Sequence, residues 1–388
     1  MKKILIVNNN MKVGGVQKSL YNLLWSLEGG WDVTLLLFRK TGAYLDKLPP
    51  WVRVIEARSL FRYLGCSQGE CTGPDKLKRG ALAATAKLFG RPAAMGVLLA
   101  SQRTLPERYD WAIAFLQNGN RKNFYGGVQE FVLRRVNAVK KAAFIHCDWR
   151  TSGANCPENN ALLGEFDRIA ACSEGCRRAL LEILPELTGK TMVVPNCHRF
   201  GEIRELSRRE TVAYTPGCFH VLMVTRLAHE KGIDRAIRAV SALRRKGMTV
   251  MLHLVGAGPM EPNATELTKE LDLVDAVRFY GEQENPYRFM PGADLLLIAS
   301  YHEAAPMVIG EARCLGLPVL TVETTSAYEM VAGESCGWVC GNSQEELEKA
   351  LADLIACPEA LKKMKETLRE IPVSNGEALA QVYALIEG

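Results

Sequence analysis

No apolar run in this 388-residue chain is long enough to cross a bilayer. The run Ile4-Leu5-Ile6-Val7 behind Lys2 and Lys3 is also too short for the core of a secretion signal, and the weakly polar stretch from Pro92 to Ala100 spans no membrane. The chain is expected to be cytoplasmic, neither exported nor integral to a membrane. Twelve cysteines are present, but spacings such as Cys66-x4-Cys71, Cys172-x3-Cys176 and Cys336-x3-Cys340 lack the short pairs of a zinc site. They read as buried free thiols. The full Gly-x-Gly-x-x-Gly fingerprint of a dinucleotide-binding turn is missing, and so is any Asp-x-Asp triplet.

What is there is ordinary globular composition, 48% hydrophobic and 23% charged, over a length that suits two domains. The charge is unevenly placed. Residues 1–205 carry 30 Lys and Arg against 18 Asp and Glu, whereas residues 206–388 carry 18 against 25. A basic half beside an acidic half points to a polyanionic partner for the first, an anionic membrane face or nucleic acid. No nucleic-acid-binding module is recognisable in it, so nucleic acid is not expected.

Two repeats of one pattern run along the chain. The segment Lys3–Val7 is apolar enough for burial on both faces of a parallel sheet. Gly14-Gly15 follows, then a helix from Gln17 to about Leu27 carrying Leu20, Leu23, Leu24 and Leu27 on one side, then a strand from Asp32 to Phe38. Further strands are predicted at Trp111–Phe115, Ala142–His146, Arg168–Ala171 and Thr191–Val194, the last closed by Pro195-Asn196. The pattern restarts with a strand at Val221–Val224 and a helix from Gly232 to Lys246. Strands at Thr249–Val255, Val277–Tyr280, Asp294–Ala299 and Pro318–Val322 follow. The polar stretch Gly201–Gly217 is the expected linker, which divides the chain into domains 1–205 and 206–388, with the last helix able to return to the first. Two such doubly wound α/β domains leave a cleft between the carboxyl ends of their sheets. Residues 58–108 fit this scheme poorly. Their cations, Arg58, Arg62, Lys76, Lys78, Arg79, Lys87, Arg91, Arg103 and Arg108, alternate with apolar residues. That composition suits both a basic helix lying on a membrane and a solvated helix face.

Two constellations carry chemistry. In Glu303-Ala304-Ala305-Pro306-Met307-Val308-Ile309-Gly310-Glu311 a loop carboxylate precedes a helix that holds a second one. Pro306 suits the first helical position, which leaves the amides of Met307 and Val308 as an anion site. Glu311 can accept from a vicinal diol such as a ribose, and Glu303 from hexose hydroxyls. In Arg226-Leu227-Ala228-His229-Glu230-Lys231-Gly232, at the end of a strand, Arg226 and Lys231 can hold a diphosphate.

With these residues the chain resembles the family 4 retaining glycosyltransferases, from the Gly14-Gly15 loop through Val194-Pro195-Asn196 to the segment Glu311–Leu320. The resemblance implies a GT-B fold of two Rossmann-like domains facing across a deep cleft, acceptor in the first and nucleotide-sugar in the second. It implies that Gly14 and Gly15 approach the diphosphate and acceptor and that His146 contacts the reacting sugars. Gly256, Gly258, Tyr280 and Gly281 would lie on loops around the base. The chain departs from the pattern at Ala304 and Ala305, where a glycine and a large residue are usual, and at Asn196-Cys197 in place of Asn-Gly.

The implied reaction moves a hexose or N-acetylhexosamine from a nucleotide-diphosphate sugar, UDP before GDP, to a glycan or lipid-linked acceptor. Configuration is retained, with neither metal nor cofactor, and His146 and Glu303 orient sugar hydroxyls. Two competing readings are a GT-B subunit that binds nucleotide without turnover, suggested by Ala304-Ala305, and a nucleotide-linked epimerase or dehydrogenase.

Overall fold

The computed structural model describes residues 1–387, which form two compact units: Met1–Cys197 together with the residues from Asn375 onward, and His198–Ser374. The first unit holds a seven-stranded parallel sheet. Its strands are β1 (Lys3–Asn8), β2 (Asp32–Leu37), β3 (Arg53–Glu56), β4 (Arg108–Ala114), β5 (Asn137–Ile145), β6 (Arg168–Ala171) and β7 (Thr191–Val193), in the order β3-β2-β1-β4-β5-β6-β7. The apolar run of β1 is buried on both sides because strand side chains alternate. Ile4 and Ile6 face Leu20, Leu24 and Leu35, whereas Leu5 and Val7 face Leu36, Phe38 and Phe131. The helix Gly15–Ser26 covers the first face. The helix Gly376–Glu387 covers it too, with Val382, Leu385 and Ile386 in the same core and Tyr383 4.7 Å from Trp31, ring to ring.

The second unit repeats the design with six parallel strands: β8 (Phe219–Val224), β9 (Val250–Val255), β10 (Val277–Phe279), β11 (Leu295–Ile298), β12 (Val319–Val322) and β13 (Gly337–Cys340). Their order is β10-β9-β8-β11-β12-β13, so in each unit the strand order reverses between the unit's first and fourth strands. Ligands of open α/β sheets sit beyond the carboxyl ends of the strands at such a reversal. The expected strands are therefore present, with ends moved by a few residues, and β3 and β13 are additional.

The linker, the domain boundary and the segment 58–108 differ from expectation. The residues Gly201–Gly217 are not a plain linker, for Phe200–Arg209 is a helix. Its single buried stripe hid it in a polar sequence: Ile203 packs with Leu222, Leu296 and Ile309, and Asn285 Nδ2 donates to Leu206 O at 2.9 Å. The units consequently part at Cys197/His198 instead of 205/206, and the chain re-enters the first at Asn375. Residues 58–108 do not make one surface helix but a 3-10 segment, Leu60–Gly65, followed by helices Gly73–Phe89 and Arg91–Ala100, with Gly90 (φ +86°) between them. Leu82, Ala86, Ala94, Met95 and Leu98 anchor this helical pair in the core.

Arg91 is not one of the surface cations; it is 1% exposed. Its guanidinium donates to the carboxylate of buried Glu130 and to Asn159 Oδ1, and Asn118 Nδ2 donates to Glu130 Oε2 at 3.1 Å. Removing one partner of such a pair leaves a buried charge without compensation. Arg91→Met is expected to lower unfolding free energy by about 3–5 kcal/mol in urea denaturation. Lys87→Met, on the exposed face of the neighbouring helix, should stay within about 0.5 kcal/mol.

Candidate active site

In the first unit the carboxyl end of β1 runs into Asn8, Asn9 and Asn10, all buried. Asparagine suits this turn because its side chain bonds nearby backbone. Asn9 Oδ1 accepts from Asn10 N at 2.8 Å and from Gln17 Nε2 at 3.3 Å, and Asn10 Nδ2 donates to Gly65 O at 3.0 Å. The loop is thereby tied to the helix that Gly15 opens. Gly14 precedes that helix in an extended conformation, and a Cβ there would touch only the flexible end of Gln17. A Cβ on Gly15 would meet nothing within 4 Å, so the fold places no demand for glycine at 15.

His146 follows β5, between Phe115 and Phe144, with ring centroids 4.8 and 5.8 Å away. Its backbone N–H donates to Gln117 Oε1 at 3.3 Å. Burial pushes the imidazole down to about 4, against the opposing effect of a hydrogen bond to the Phe115 backbone. The ring is neutral at pH 7, and Nε2 is buried without a hydrogen-bond partner among the described residues. Asp148 caps the next turn, accepting from Arg150 N at 2.8 Å and pairing with the Arg150 guanidinium at 2.8 Å.

In the second unit the strand reversal lies between β8 and β11. Both chemistry-bearing loops leave from there. Lys231, after β8, and Glu303, after β11, meet: Nζ lies 2.6 Å from Oε1, with the side chains 22% and 12% exposed. Ser300 Oγ donates to the same oxygen at 2.7 Å. Arg226 stands apart from this pair, largely exposed and bonded to Glu230. Glu311 is buried in the helix Met307–Cys314. Pro306 is not the first helical residue as expected but the cap before it, with ψ at 118°; the helix begins with Met307.

Three glycines hold these loops together. Gly232 (φ +62°) caps the helix Ile233–Arg245, and a Cβ on it would fall 2.1 Å from Ala299 O. At Gly256 (φ +136°) a Cβ would lie 1.9 Å from Thr225 O, and at Gly258 2.3 Å from Leu227 O. Leu227 N donates to Ala257 O at 3.0 Å, so the segment 225–228 lies directly on the turn 256–258. The Tyr280–Gly281 loop joins this edge through Gly256 N–H to Gly281 O, 2.8 Å. The Tyr280 hydroxyl points inward and meets His253 Nδ1 at 2.9 Å.

Sequence reading missed the residues that carry the Glu303 loop. Arg235, 4% exposed, donates to Asn342 Oδ1 at 2.6 Å and lies 4.9 Å over the Tyr301 ring. Tyr301 N donates to Glu230 O at 2.9 Å, and Asn342 Nδ2 donates to Glu323 O at 2.9 Å. The available signal was an arginine between Ile233 and the Ala236-Ile237 pair, on a helix whose apolar residues are buried. Among the described residues no group of three or more His, Cys, Asp or Glu is arranged to hold a metal ion.

Residues 213–371, within the second unit, match the family described as Glycosyl transferases group 1. Over 125 residues it is 35% identical to the lipopolysaccharide glucosyltransferase WaaG of Escherichia coli, covering 31% of this chain and 33% of WaaG. An uncharacterized glycosyltransferase of Haemophilus influenzae is 29% identical over 151 residues, 38% of this chain and 43% of the relative. The chain thus spans less than half the length of these curated relatives. Among solved structures, Anabaena HepE in complex with UDP-glucose superposes with a TM-score of 0.66 over all of this chain and 96% of its own, at 19% identity. At that identity the likeness is one of fold, and the fold is GT-B, as the sequence led us to expect.

The depressed imidazoles have a consequence for stability. His146 and His253 both fall to about 4, below the roughly 6.5 of an unfolded histidine. Between those values the unfolded chain takes up protons that the folded chain refuses. Their contribution is therefore complete above about pH 6.5 and is lost as the pH falls toward 4. Urea midpoints should decline over this window, and His146→Gln should flatten the decline.

Proposed function

We propose that the chain is a retaining glycosyltransferase that moves a hexose or N-acetylhexosamine from a nucleotide-diphosphate sugar, a UDP-sugar first, to a glycan or lipid-linked acceptor in cell-surface polysaccharide synthesis. The Lys231–Glu303 pair at the strand reversal of the second unit carries this reading. Relatives named for lipopolysaccharide and amylovoran synthesis, and a fold neighbour solved with UDP-glucose, support it.

In the resting protein each member of the pair keeps the other's charge satisfied. A diphosphate offers Lys231 a second anion and draws Nζ toward phosphate oxygens, which frees Glu303 Oε1 for a sugar hydroxyl. Arg226, which is exposed, and the amides of Met307 and Val308 at the helix start add to the charge stabilisation of the leaving diphosphate. Glu311 takes the ribose diol. Gly256, Gly258, Tyr280 and Gly281 line the base. His146, neutral, offers Nε2 to a sugar hydroxyl, and Gly14 and Gly15 leave room for the ligand. On this route the departing phosphate oxygen assists deprotonation of the acceptor, and neither a metal nor a covalent nucleophile is required.

The exposed apolar side chains Leu77, Leu88, Phe89 and Val97, flanked by Lys76, Lys78 and Lys87, support peripheral attachment to an anionic membrane where a lipid-linked acceptor resides. No helix of the described residues is long and apolar enough to cross a membrane.

Calorimetric titration with UDP, GDP and NAD tests the donor site. UDP is expected to bind, and Lys231→Ala and Glu311→Ala should each weaken it at least about tenfold, the scale of a lost charged hydrogen bond. Gly15→Ala should weaken donor turnover without lowering Tm, since nothing in the fold crowds that Cβ. Turnover undiminished by a chelator supports metal independence. Binding of NAD alone refutes the glycosyltransferase reading. Flotation with anionic vesicles should fail for the Leu88→Ser, Phe89→Ser double variant; wild type that stays in solution rules out the membrane role.

A further inference from the structure

Behind the Tyr280–Gly281 loop three side chains form a hydrogen-bonded chain that the proposed reaction leaves unused. His220 Nε2 lies 2.9 Å from Thr215 O, His220 Nδ1 lies 2.9 Å from His253 Nε2, and His253 Nδ1 lies 2.9 Å from the Tyr280 hydroxyl. A carbonyl only accepts, so His220 carries its proton on Nε2. With one proton on each ring, its Nδ1 accepts from the Nε2–H of His253, and His253 Nδ1 accepts from the Tyr280 hydroxyl. One backbone carbonyl thus sets two tautomers and the direction in which Tyr280 donates.

The carbonyl is itself held. Tyr214, the residue before Thr215, donates its hydroxyl to Phe289 O at 2.7 Å and packs on both imidazoles, with ring centroids 4.7 Å from His220 and 4.4 Å from His253. Gly292 leaves the space its ring needs: a Cβ there would come within 2.5 Å of it. Asp294 accepts from the backbone N–H of His220 at 2.8 Å. Burial, with His220 and then Arg278 nearby, keeps the His253 ring neutral. At the far end, Tyr280 N donates to Leu254 O at 2.9 Å, its ring lies 4.6 Å from Phe289, and its carbonyl accepts from Gln283 Nε2. Next to it Gly281 O accepts from Gly256 N.

We infer that the Thr215–His220–His253–Tyr280 chain is a positioning device that fixes the Tyr280–Gly281 loop for contact with the nucleotide base, and so acts on nucleoside affinity and not on diphosphate affinity. The inference rests on the donor-site reading above. Tyr280, His253 and His220 act through the loop backbone and take no part in the chemistry. The sequence has room for apolar residues at all three places, since each lies in or beside a strand whose neighbours are apolar. A polar chain sunk into this part of the core orders one geometry, because each member has one donor and one acceptor role to satisfy.

The test compares UDP with inorganic pyrophosphate as probes on the full chain at neutral pH. Tyr280→Phe is expected to weaken UDP about fivefold, the scale of one neutral hydrogen bond, and to leave pyrophosphate affinity unchanged. His253→Gln, whose amide supplies one acceptor and one donor, should retain UDP affinity, whereas His253→Leu should lose it as Tyr280→Phe does. If His253→Leu fails to fold, the Tyr280→Phe and His253→Gln comparison decides alone. Equal loss for UDP and pyrophosphate in Tyr280→Phe marks a merely structural role and overturns the inference, as does unchanged UDP affinity. Wild type that binds no nucleotide overturns the donor-site reading as well, which sets that failure apart.

Discussion

At the carboxyl edge of the second sheet, backbone lies on backbone with no side chain between. Gly232 presses on the carbonyl of Ala299, Gly256 on that of Thr225 and Gly258 on that of Leu227. Each contact admits only glycine, and two of the three also have a φ that side-chain-bearing residues resist. Together they clamp the loop 225–232 between the turn 256–258 and the end of β11. Everything polar at this edge takes its place from that clamp. Lys231 stands one residue before Gly232, Glu303 four residues beyond Ala299, and the two meet because their backbones already do.

The chain uses ion pairs in two ways that burial separates. Arg91 and Glu130 are sunk in the first unit and enclosed by Asn118 and Asn159. Every lone pair there that finds a partner reduces a desolvation cost that is otherwise several kcal/mol, and such a pair is not exchangeable. Lys231 and Glu303 are only partly covered, and Ser300 supports the carboxylate from one side. On the proposed reading an incoming diphosphate competes with Glu303 for Lys231 and reopens this pair. Each pair sets a cation against a glutamate, and burial decides how firmly the two are committed to each other.

Histidine is used with similar economy. Three of the six pack against aromatic rings: His146 beside Phe115 and Phe144, His220 and His253 beneath Tyr214. A neutral imidazole has one donor and one acceptor in fixed directions, which makes it a polar strut inside a core as well as a contact for a hydroxyl. His146 is the one whose second nitrogen finds no protein partner among the described residues.

Much of this molecule was legible in the sequence because it depends on local pattern. Apolar runs of strand length, Gly14-Gly15 after the first of them and the restart at Val221 were enough for two doubly wound units, and Glu303, Glu311, Arg226 and Lys231 could be singled out by spacing alone. Tertiary structure decided what spacing does not encode. It placed Arg91 in the core and not on the surface, since one buried acid 39 residues away outweighs its charge. It gave Phe200–Arg209 to the second unit through one buried isoleucine, and the last helix to the first through contacts with residues more than 350 positions earlier. It joined Lys231 to Glu303 and left Arg226 with Glu230. Periodicity and motif report which face of an element is apolar and which residues are chemically able. Which partner a polar side chain finds depends on elements brought together from distant parts of the chain, and that information exists only once the sheets have formed.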